Sequence, residues 1–224
     1  MWQVPTRNLP RALLLMASQR RAVRKLPFGK LLGTGSGQTF ASRDVNWHQY
    51  AVVTSWPNDS DAAAFDTSRI VRQWQRISES QRRIELTPLA SRGSWSGKTP
   101  FGDAASGAAT PTPAGAPVAS ITHARIRFRR ILTFWRAVPP VAADLAGRDG
   151  SLVRIAIGEA PIGVQGTFSV WADEASINAF ARGPAHRDVI RRRADEGWYA
   201  EEIFARFAVV SDVFTDLTDR RPVQ

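Results

Sequence analysis

A pattern of aromatic residues occurs twice in this chain and limits the folds open to it. Trp56 ends a strand-like run, and Phe65 follows nine residues later in a helical stretch. Trp171 ends a second strand-like run, and Phe180 follows at the same spacing. An acidic turn separates the two aromatics in both places, and the copies lie 115 residues apart in a chain of 224. Repetition at that period predicts two copies of one unit of strand, turn and helix.

Hydrophobic periodicity extends the repeat to the rest of each half. The first half predicts helices that end near Leu26 and span Ser60–Ser80, and strands at Arg11–Ala17, Lys30–Gly33, Gln49–Trp56 and Arg83–Leu89. The second half predicts helices at Ile131–Ala146, Asp173–Ala181 and Pro184–Arg193, and strands at Val118–Phe128, Leu152–Ile157, Gln165–Trp171 and Phe204–Val210. Each half therefore has the order of a βαββαβ ferredoxin-like unit, and the predicted class is α+β. Because one such unit leaves a sheet face uncovered, we expect the sheets of two fused units to pack together into an α+β barrel.

Composition divides the chain into four predicted segments. Residues 1–92 form an N-terminal ferredoxin-like half, and residues 118–212 form a C-terminal half followed by a tail at 213–224. Residues 93–117 between the halves are rich in Gly, Ser, Ala, Thr and Pro, and Asp103–Gly115 has the composition of a flexible linker. We therefore expect two folded halves joined by a linker.

The residue types present limit the chemistry. With no cysteine, the chain excludes disulfides, iron–sulfur clusters and cysteine nucleophiles, so a transition metal depends on three histidines, carboxylates, Tyr or Met. The net charge of +10 suits an anionic partner, but no nucleic-acid-reading motif accompanies it, so nucleic acid is not expected. The early apolar run Ala12–Ala17 is six residues, too short to span a membrane. These features predict a cytoplasmic protein, with peripheral contact at a membrane left open.

The three histidines are the most informative residues for chemistry. His186 lies in the first turn of the helix that Pro184 opens, and Ile190 shares its face one turn on. A neutral imidazole on a rigid helix suits an axial iron ligand, and a locally bonded or solvent-facing histidine is the other interpretation. His123 lies on a strand of mixed character, so it either lines a cavity as a second cofactor-binding residue or has no ligand role. His48, in a polar loop, is the weakest candidate.

Large aromatic residues are candidates for a substrate pocket. Trp95 and Phe101 lie in a glycine-rich segment and need a partner surface, either an end of the fold or a hydrophobic ligand. Trp135 and Phe168 complete the predicted pocket, and plain core packing is the alternative for Trp135.

Charged residues supply candidates for an anionic group. Arg127 and Arg129 suit haem propionates, and a solvated basic strand end explains them equally well. Glu159, in an apolar glycine-rich turn, is expected to face solvent rather than a pocket mouth. Tyr199–Glu202 is expected to form an exposed helical turn.

Longer motifs stand in a definite order along the chain, at Lys30–Gly35, Arg92–Gly97, Leu132–Pro140, Gly158–Gly163, Gln165–Ser169 and Gly197–Phe207. Through them, residues 28–210 resemble the spheroidene monooxygenase family. The resemblance implies a haem-dependent oxygenase of the dimeric α/β-barrel superfamily that introduces keto or hydroxyl oxygen into acyclic carotenoids. Haem enzymes of that superfamily carry a histidine ligand on a helix, which implies His186 as the metal ligand.

The predicted function is therefore a haem-dependent monooxygenase of a hydrophobic, carotenoid-like polyene. His186 would bind the iron, with His123, Arg127 and Arg129 as further cofactor-binding residues. An electron donor is required, and the sequence does not identify it. Two alternatives stay open, a cofactor-free oxygenase of the same fold and a non-catalytic protein that binds haem or lipid.

Overall fold

A computed structural model of the chain describes residues 1–36, 44–102, 113, 115–159 and 164–218. The strands within these ranges are β1 (Trp2–Gln3), β2 (Phe28–Gly35), β3 (Val45–Ser55), β4 (Ser80–Gly93), β5 (Val118–Ile126), β6 (Ser151–Gly158), β7 (Val164–Trp171) and β8 (Tyr199–Asp216). The helices are α1 (Leu9–Val23), α2 (Asp59–Asp66), α3 (Arg69–Ile77), α4 (Ile131–Ala146), α5 (Glu174–Ala181) and α6 (Pro184–Glu196). None of these helices is both long and apolar enough to cross a bilayer.

Packing groups the chain into two compact units. The first unit comprises Met1–Thr34, Asn46–Ile84 and Ser211–Gln224, and the second comprises Gly35–Val45 and Glu85–Val210. The hydrogen-bonded strand order is β4-β1-β3-β2 in the first unit, to which β4 contributes Ser80–Ile84, and β8-β5-β7-β6 in the second, to which β8 contributes Tyr199–Val210.

These two strand orders are equivalent, because each unit places its own fourth strand beside its first and its third strand beside its second. In both units one helix follows the first strand and two helices follow the third. The predicted α+β fold of two ferredoxin-like units, of the dimeric α/β-barrel type, is confirmed. The segment boundaries at 1–92, 93–117, 118–212 and 213–224 stay a prediction, and residues 103–112 and 114 of the linker lie outside the described residues.

The repeated nine-residue spacing produces the same ring contact in both units. The ring centroids of Trp56 and Phe65 lie 5.4 Å apart, and those of Trp171 and Phe180 also lie 5.4 Å apart. Two residues after each tryptophan, an Asn or Asp side chain accepts a backbone N–H and caps the helix that carries the phenylalanine. The duplication visible in the sequence is therefore a duplication of packing.

Each unit has a core of its own. In the first unit Trp2 stacks on Trp74 with centroids 5.3 Å apart, and the Trp74 indole donates a hydrogen bond to Gln19. In the second unit, one group of buried residues packs around Trp198 and another around Trp171.

The strand predicted at Arg11–Ala17 is wrong, because these residues belong to α1. Buried positions of this helix recur at helical spacing, whereas Leu13 and Leu14, inside the apolar run, face solvent. A short apolar run is compatible with a buried strand and with a helix, so periodicity alone does not separate them. The first strand is Trp2–Gln3, whose two residues are too few to show alternation.

Two other elements differ from the prediction. The helix predicted at Ser60–Ser80 is two helices, because the Ser68 side chain accepts the Val71 N–H and starts α3. Tyr199–Glu202 is the beginning of β8 rather than an exposed helical turn. Tyr199 packs against Phe134, with ring centroids 5.9 Å apart, and this contact favours the extended conformation there.

Candidate functional site

A cavity of about 510 Å³ lies inside the second unit. One wall is a face of the sheet, which contributes the hydroxyl groups of Ser120, Thr122, Thr167 and Ser169. Helices α4, α5 and α6 form the other wall, which is mainly apolar and includes Phe134, Ala137, Val141, Leu145, Ile177 and Phe180. The volume falls within the range of roughly 300–1,000 Å³ that small-molecule sites occupy.

His186 stands on the helix wall of this cavity. Its Nδ1 lies 3.1 Å from the carbonyl oxygen of Ala181, which can only accept, so Nδ1–H is the donor. Nε2 therefore carries the lone pair in the neutral ring. Desolvation by burial lowers the pKa of His186, and the Ala181 carbonyl and the charge of Asp144 oppose this only in part. The imidazole is neutral at neutral pH and suited to act as a ligand.

His123 also borders the cavity, as one of its two interpretations expected, but its ring belongs to a different group of residues. Thr122 faces the cavity, and successive side chains of a strand point to opposite faces, so the His123 ring lies on the other face of the sheet. There it stacks on Trp95, with centroids 4.0 Å apart and an interplanar angle of 18°. Its Nε2 lies 3.8 Å from Oε1 of Glu159, which accepts a hydrogen bond of 2.7 Å from the Trp95 indole. Both histidines therefore border the cavity, but the His123 ring is held by Trp95 and Glu159.

Glu159 is not the solvated carboxylate expected from its turn. Its side chain is only 11% exposed, and it joins Trp95 and His123 in one polar cluster. Sequence reasoning missed this cluster because its members are distant in the chain. One feature of the sequence does point to it: Glu159 is the single carboxylate in a turn of apolar and glycine residues. If such a turn is buried, the carboxylate needs a hydrogen-bond partner.

The four predicted pocket residues do not line the cavity. Trp95, Phe101 and Phe168 pack on the sheet face that carries His123: Phe101 meets Phe207 edge to face at 4.9 Å, and Phe168 follows cavity-lining Thr167 in β7. Trp135 is half-buried against the core group around Trp198. Their neighbours in sequence or space, such as Phe134 and Phe180, line the cavity instead.

The arginines at the cavity also differ from those predicted. Arg127 and Arg129 are exposed and do not line it, and the Arg127 Nε donates to the carbonyl of Tyr199 at 3.0 Å. Arg92 and Arg193 line the cavity, with their guanidinium carbons 4.8 Å and 5.4 Å from the centre of the same phenyl ring, that of Phe204.

These two arginines differ in their partners. Arg193 also pairs with Glu202 at 3.1 Å, and Arg206, a third arginine at the cavity, lies 3.5 Å from Glu174, whereas Arg92 forms no ion pair within the described ranges. Arg92 is therefore the cation best placed to meet an anionic group in the cavity.

Comparison with known proteins supplies relatives by sequence. The chain is 34% identical over 210 residues to spheroidene monooxygenase of Rhodobacter capsulatus, which covers 92% of this chain and 86% of that protein. It is 32% identical over 193 residues to spheroidene monooxygenase of Cereibacter sphaeroides, covering 84% of this chain and 57% of that protein. No protein-family model matches the chain. Among solved structures, a proposed monooxygenase from Fusobacterium nucleatum is 11% identical with a TM-score of 0.42, covering 96% of this chain and 92% of that one.

Proposed function

Because the chain belongs to the spheroidene monooxygenase family and is an oxygenase, we propose that it uses haem to add keto or hydroxyl oxygen to a carotenoid-like polyene. The placement of His186 carries this proposal. Its half-buried imidazole stands on an apolar cavity wall, with Nδ1 tied to the Ala181 carbonyl. In the part of the chain that the structure describes, Nε2 has no hydrogen-bond partner.

The residues at the cavity fit haem. A hydrogen bond from Nδ1–H to a backbone carbonyl orients an imidazole ligand and leaves Nε2 free to bind iron. Burial keeps this ring neutral, which a ligand requires. Arg92 and Arg193 would hold the propionates through charge-assisted hydrogen bonds. When bound, haem supplies the oxidising power for dioxygen chemistry, and the protein supplies orientation and a dry environment.

The cavity also suits a hydrophobic substrate. A polyene has no hydrogen-bonding groups along its conjugated chain, and the helix wall offers it alkyl and aromatic side chains. Ile190 of α6 lines the cavity and is also 38% exposed, so the cavity reaches the surface at that residue. A long substrate can enter there from a lipid phase, and the proposal includes peripheral contact with a membrane.

Monooxygenation also requires a reductant. One oxygen atom of O2 enters the substrate and the other leaves as water, so two electrons and two protons must be supplied. We assign the electrons to a separate donor protein or reduced cofactor. His186 would remain a ligand throughout, while the apolar helix wall excludes bulk water from the reacting atoms.

An absorption spectrum tests the cofactor. Protein purified from haem-supplied cells should show a Soret band, which His186→Ala should remove or shift. His48→Ala is the matched control, because His48 also bonds a backbone carbonyl through Nδ1, at 2.9 Å, but belongs to the first unit. Added imidazole should restore the band in His186→Gly. The absence of a Soret band in the wild-type protein would support the cofactor-free alternative.

A pigment assay tests the reaction. Cells that make an acyclic carotenoid should accumulate keto or hydroxyl products when they express the wild-type chain, and far less with His186→Ala. Unchanged pigment with haem bound to the wild-type protein would support the non-catalytic carrier.

A further inference from the structure

The turn before α4 exposes large apolar side chains to water. Phe128 is 87% exposed, and Leu132, four residues later in the first turn of α4, is 65% exposed. The turn is held in place, because the Arg127 N–H donates to the Trp198 carbonyl at 2.8 Å and the Arg127 Nε to the Tyr199 carbonyl. The fixed backbone therefore holds the phenyl ring in water, which costs free energy because the ring is apolar. Contact with an apolar surface would remove that cost.

Arginines surround these two side chains. Arg127, Arg129, Arg130 and Arg136 are exposed, and no carboxylate occurs from Ala124 to Ala143. Within the described ranges, Arg129 and Arg136 form neither an ion pair nor a side-chain hydrogen bond. We call these four arginines together with Phe128 and Leu132 the basic apolar patch.

Acidic groups on the neighbouring α6 do not cancel this charge. Glu196 interacts with Arg130, but its carboxylate already accepts hydrogen bonds from Arg192 at 2.9 Å and from the Trp198 indole at 2.8 Å. Asp188 pairs with Arg191 on the same helix. The basic apolar patch therefore keeps a net positive charge.

The helix that carries the patch also carries the cavity wall. Leu132 and Arg136 of α4 face solvent, whereas Phe134, Ala137 and Val141 of the same helix line the cavity. A surface that binds the patch would thus contact the outer face of α4, and the inner face of the same helix would contact the proposed substrate.

From this geometry we propose that the basic apolar patch docks the enzyme on an anionic lipid bilayer. Phe128 and Leu132 would enter the boundary between headgroups and acyl chains, and the arginines would contact lipid phosphates. A second copy of the chain fits less well, because a two-fold contact through this patch would bring its own arginines together. Docking does not depend on haem, so it can fail or succeed separately from the proposed function.

Vesicle flotation tests the docking. Wild-type protein should bind vesicles of equal phosphatidylglycerol and phosphatidylcholine, bind pure phosphatidylcholine much more weakly, and release with added salt. The double variant Phe128→Ser, Leu132→Ser should lose about tenfold or more in binding. Arg129→Gln with Arg136→Gln should lose about fivefold for each arginine and show a weaker salt dependence.

Phe214→Ser is the matched control, because Phe214 is 68% exposed but stands between Asp212 and Asp216 in β8. This variant should bind like the wild type. Unchanged thermal melting in each variant shows that a loss of binding is not a loss of folding. The Soret band should be unaffected, which keeps this test separate from that of the cofactor.

Three results would overturn the proposal. The first is wild-type protein that does not bind anionic vesicles, and the second is a Phe128 and Leu132 double variant that binds them fully. The third is loss of binding only when Leu13 and Leu14, exposed on the basic helix α1, are changed to serine. Capture by duplex DNA that the patch variants abolish, without vesicle binding, would instead assign the surface to nucleic acid.

Discussion

The indole Nε1 of Trp95 donates a 2.7 Å hydrogen bond to Oε1 of Glu159, although the two residues are 64 positions apart. Trp95 is fully buried, and its ring also stacks on His123, so the carboxylate fixes one edge of the stacked pair. The cluster ties the chain after β4 to the turn after β6 within the second unit.

Loss of this carboxylate should destabilise the protein. Glu159→Ala leaves the buried Trp95 N–H without its acceptor and should lower the free energy of unfolding by about 1–3 kcal/mol in urea titrations. Glu159→Gln keeps an oxygen acceptor and should lose less. If the alanine variant is as stable as the wild type, the hydrogen bond is not stabilising the second unit.

Gly93 should tolerate substitution much less well than Gly97, although both have positive φ, at +88° and +72°. A Cβ at Gly93 would lie 2.2 Å from the Glu202 carbonyl oxygen, whereas one at Gly97 meets nothing within 4 Å. Gly97→Ala should therefore show only backbone strain, about 1 kcal/mol, and Gly93→Ala should lose several times more. Equal losses in chemical unfolding would contradict the close approach of the two backbones.

The stability of the protein should fall as the pH drops through the range where His186 titrates. Burial lowers its pKa in the folded state below the usual value, so the unfolded chain binds the proton more readily. The neutral ring therefore supports folding above the unfolded pKa of about 6.5, and this contribution is lost as pH falls below it. Melting temperatures of the haem-free protein, measured from about pH 7.5 to about pH 5, should decline less in His186→Asn than in the wild type.

Filling the cavity should impair ligand binding without unfolding the protein. Ala142 lines the cavity, and Ala143, the next residue of α4, is exposed. Ala142→Leu should weaken haem binding, measured as Soret absorbance per chain, and lower pigment conversion. Ala143→Leu has the same small cost in helix propensity and should behave as the wild type. Equal haem content in the two variants would place the cofactor elsewhere.

Some of the predicted site residues line the cavity and others do not, and the direction in which each side chain points explains the difference. His186 was identified from a helix start and a shared face with Ile190, and both residues line the cavity, because spacing within one helix is a local property. Phe134 and Trp135 are adjacent, and only the packing of α4 decides that Phe134 faces the cavity. Thr122 and His123 both border the cavity, and only the packing around β5 decides that the His123 ring stacks on Trp95.

The sequence by itself determined the duplicated ferredoxin-like order, the nine-residue Trp-to-Phe contact and the bounds of α4, because these depend on neighbours a few residues away. It did not determine α1, because six consecutive apolar residues are compatible with the pattern of a buried strand and with that of a helix. Only the tertiary structure decided that Glu159 meets Trp95 and that Arg92 rather than Arg127 borders the cavity. Those relationships join distant segments, and they form only when the strands and helices pack and remove water from the groups between them.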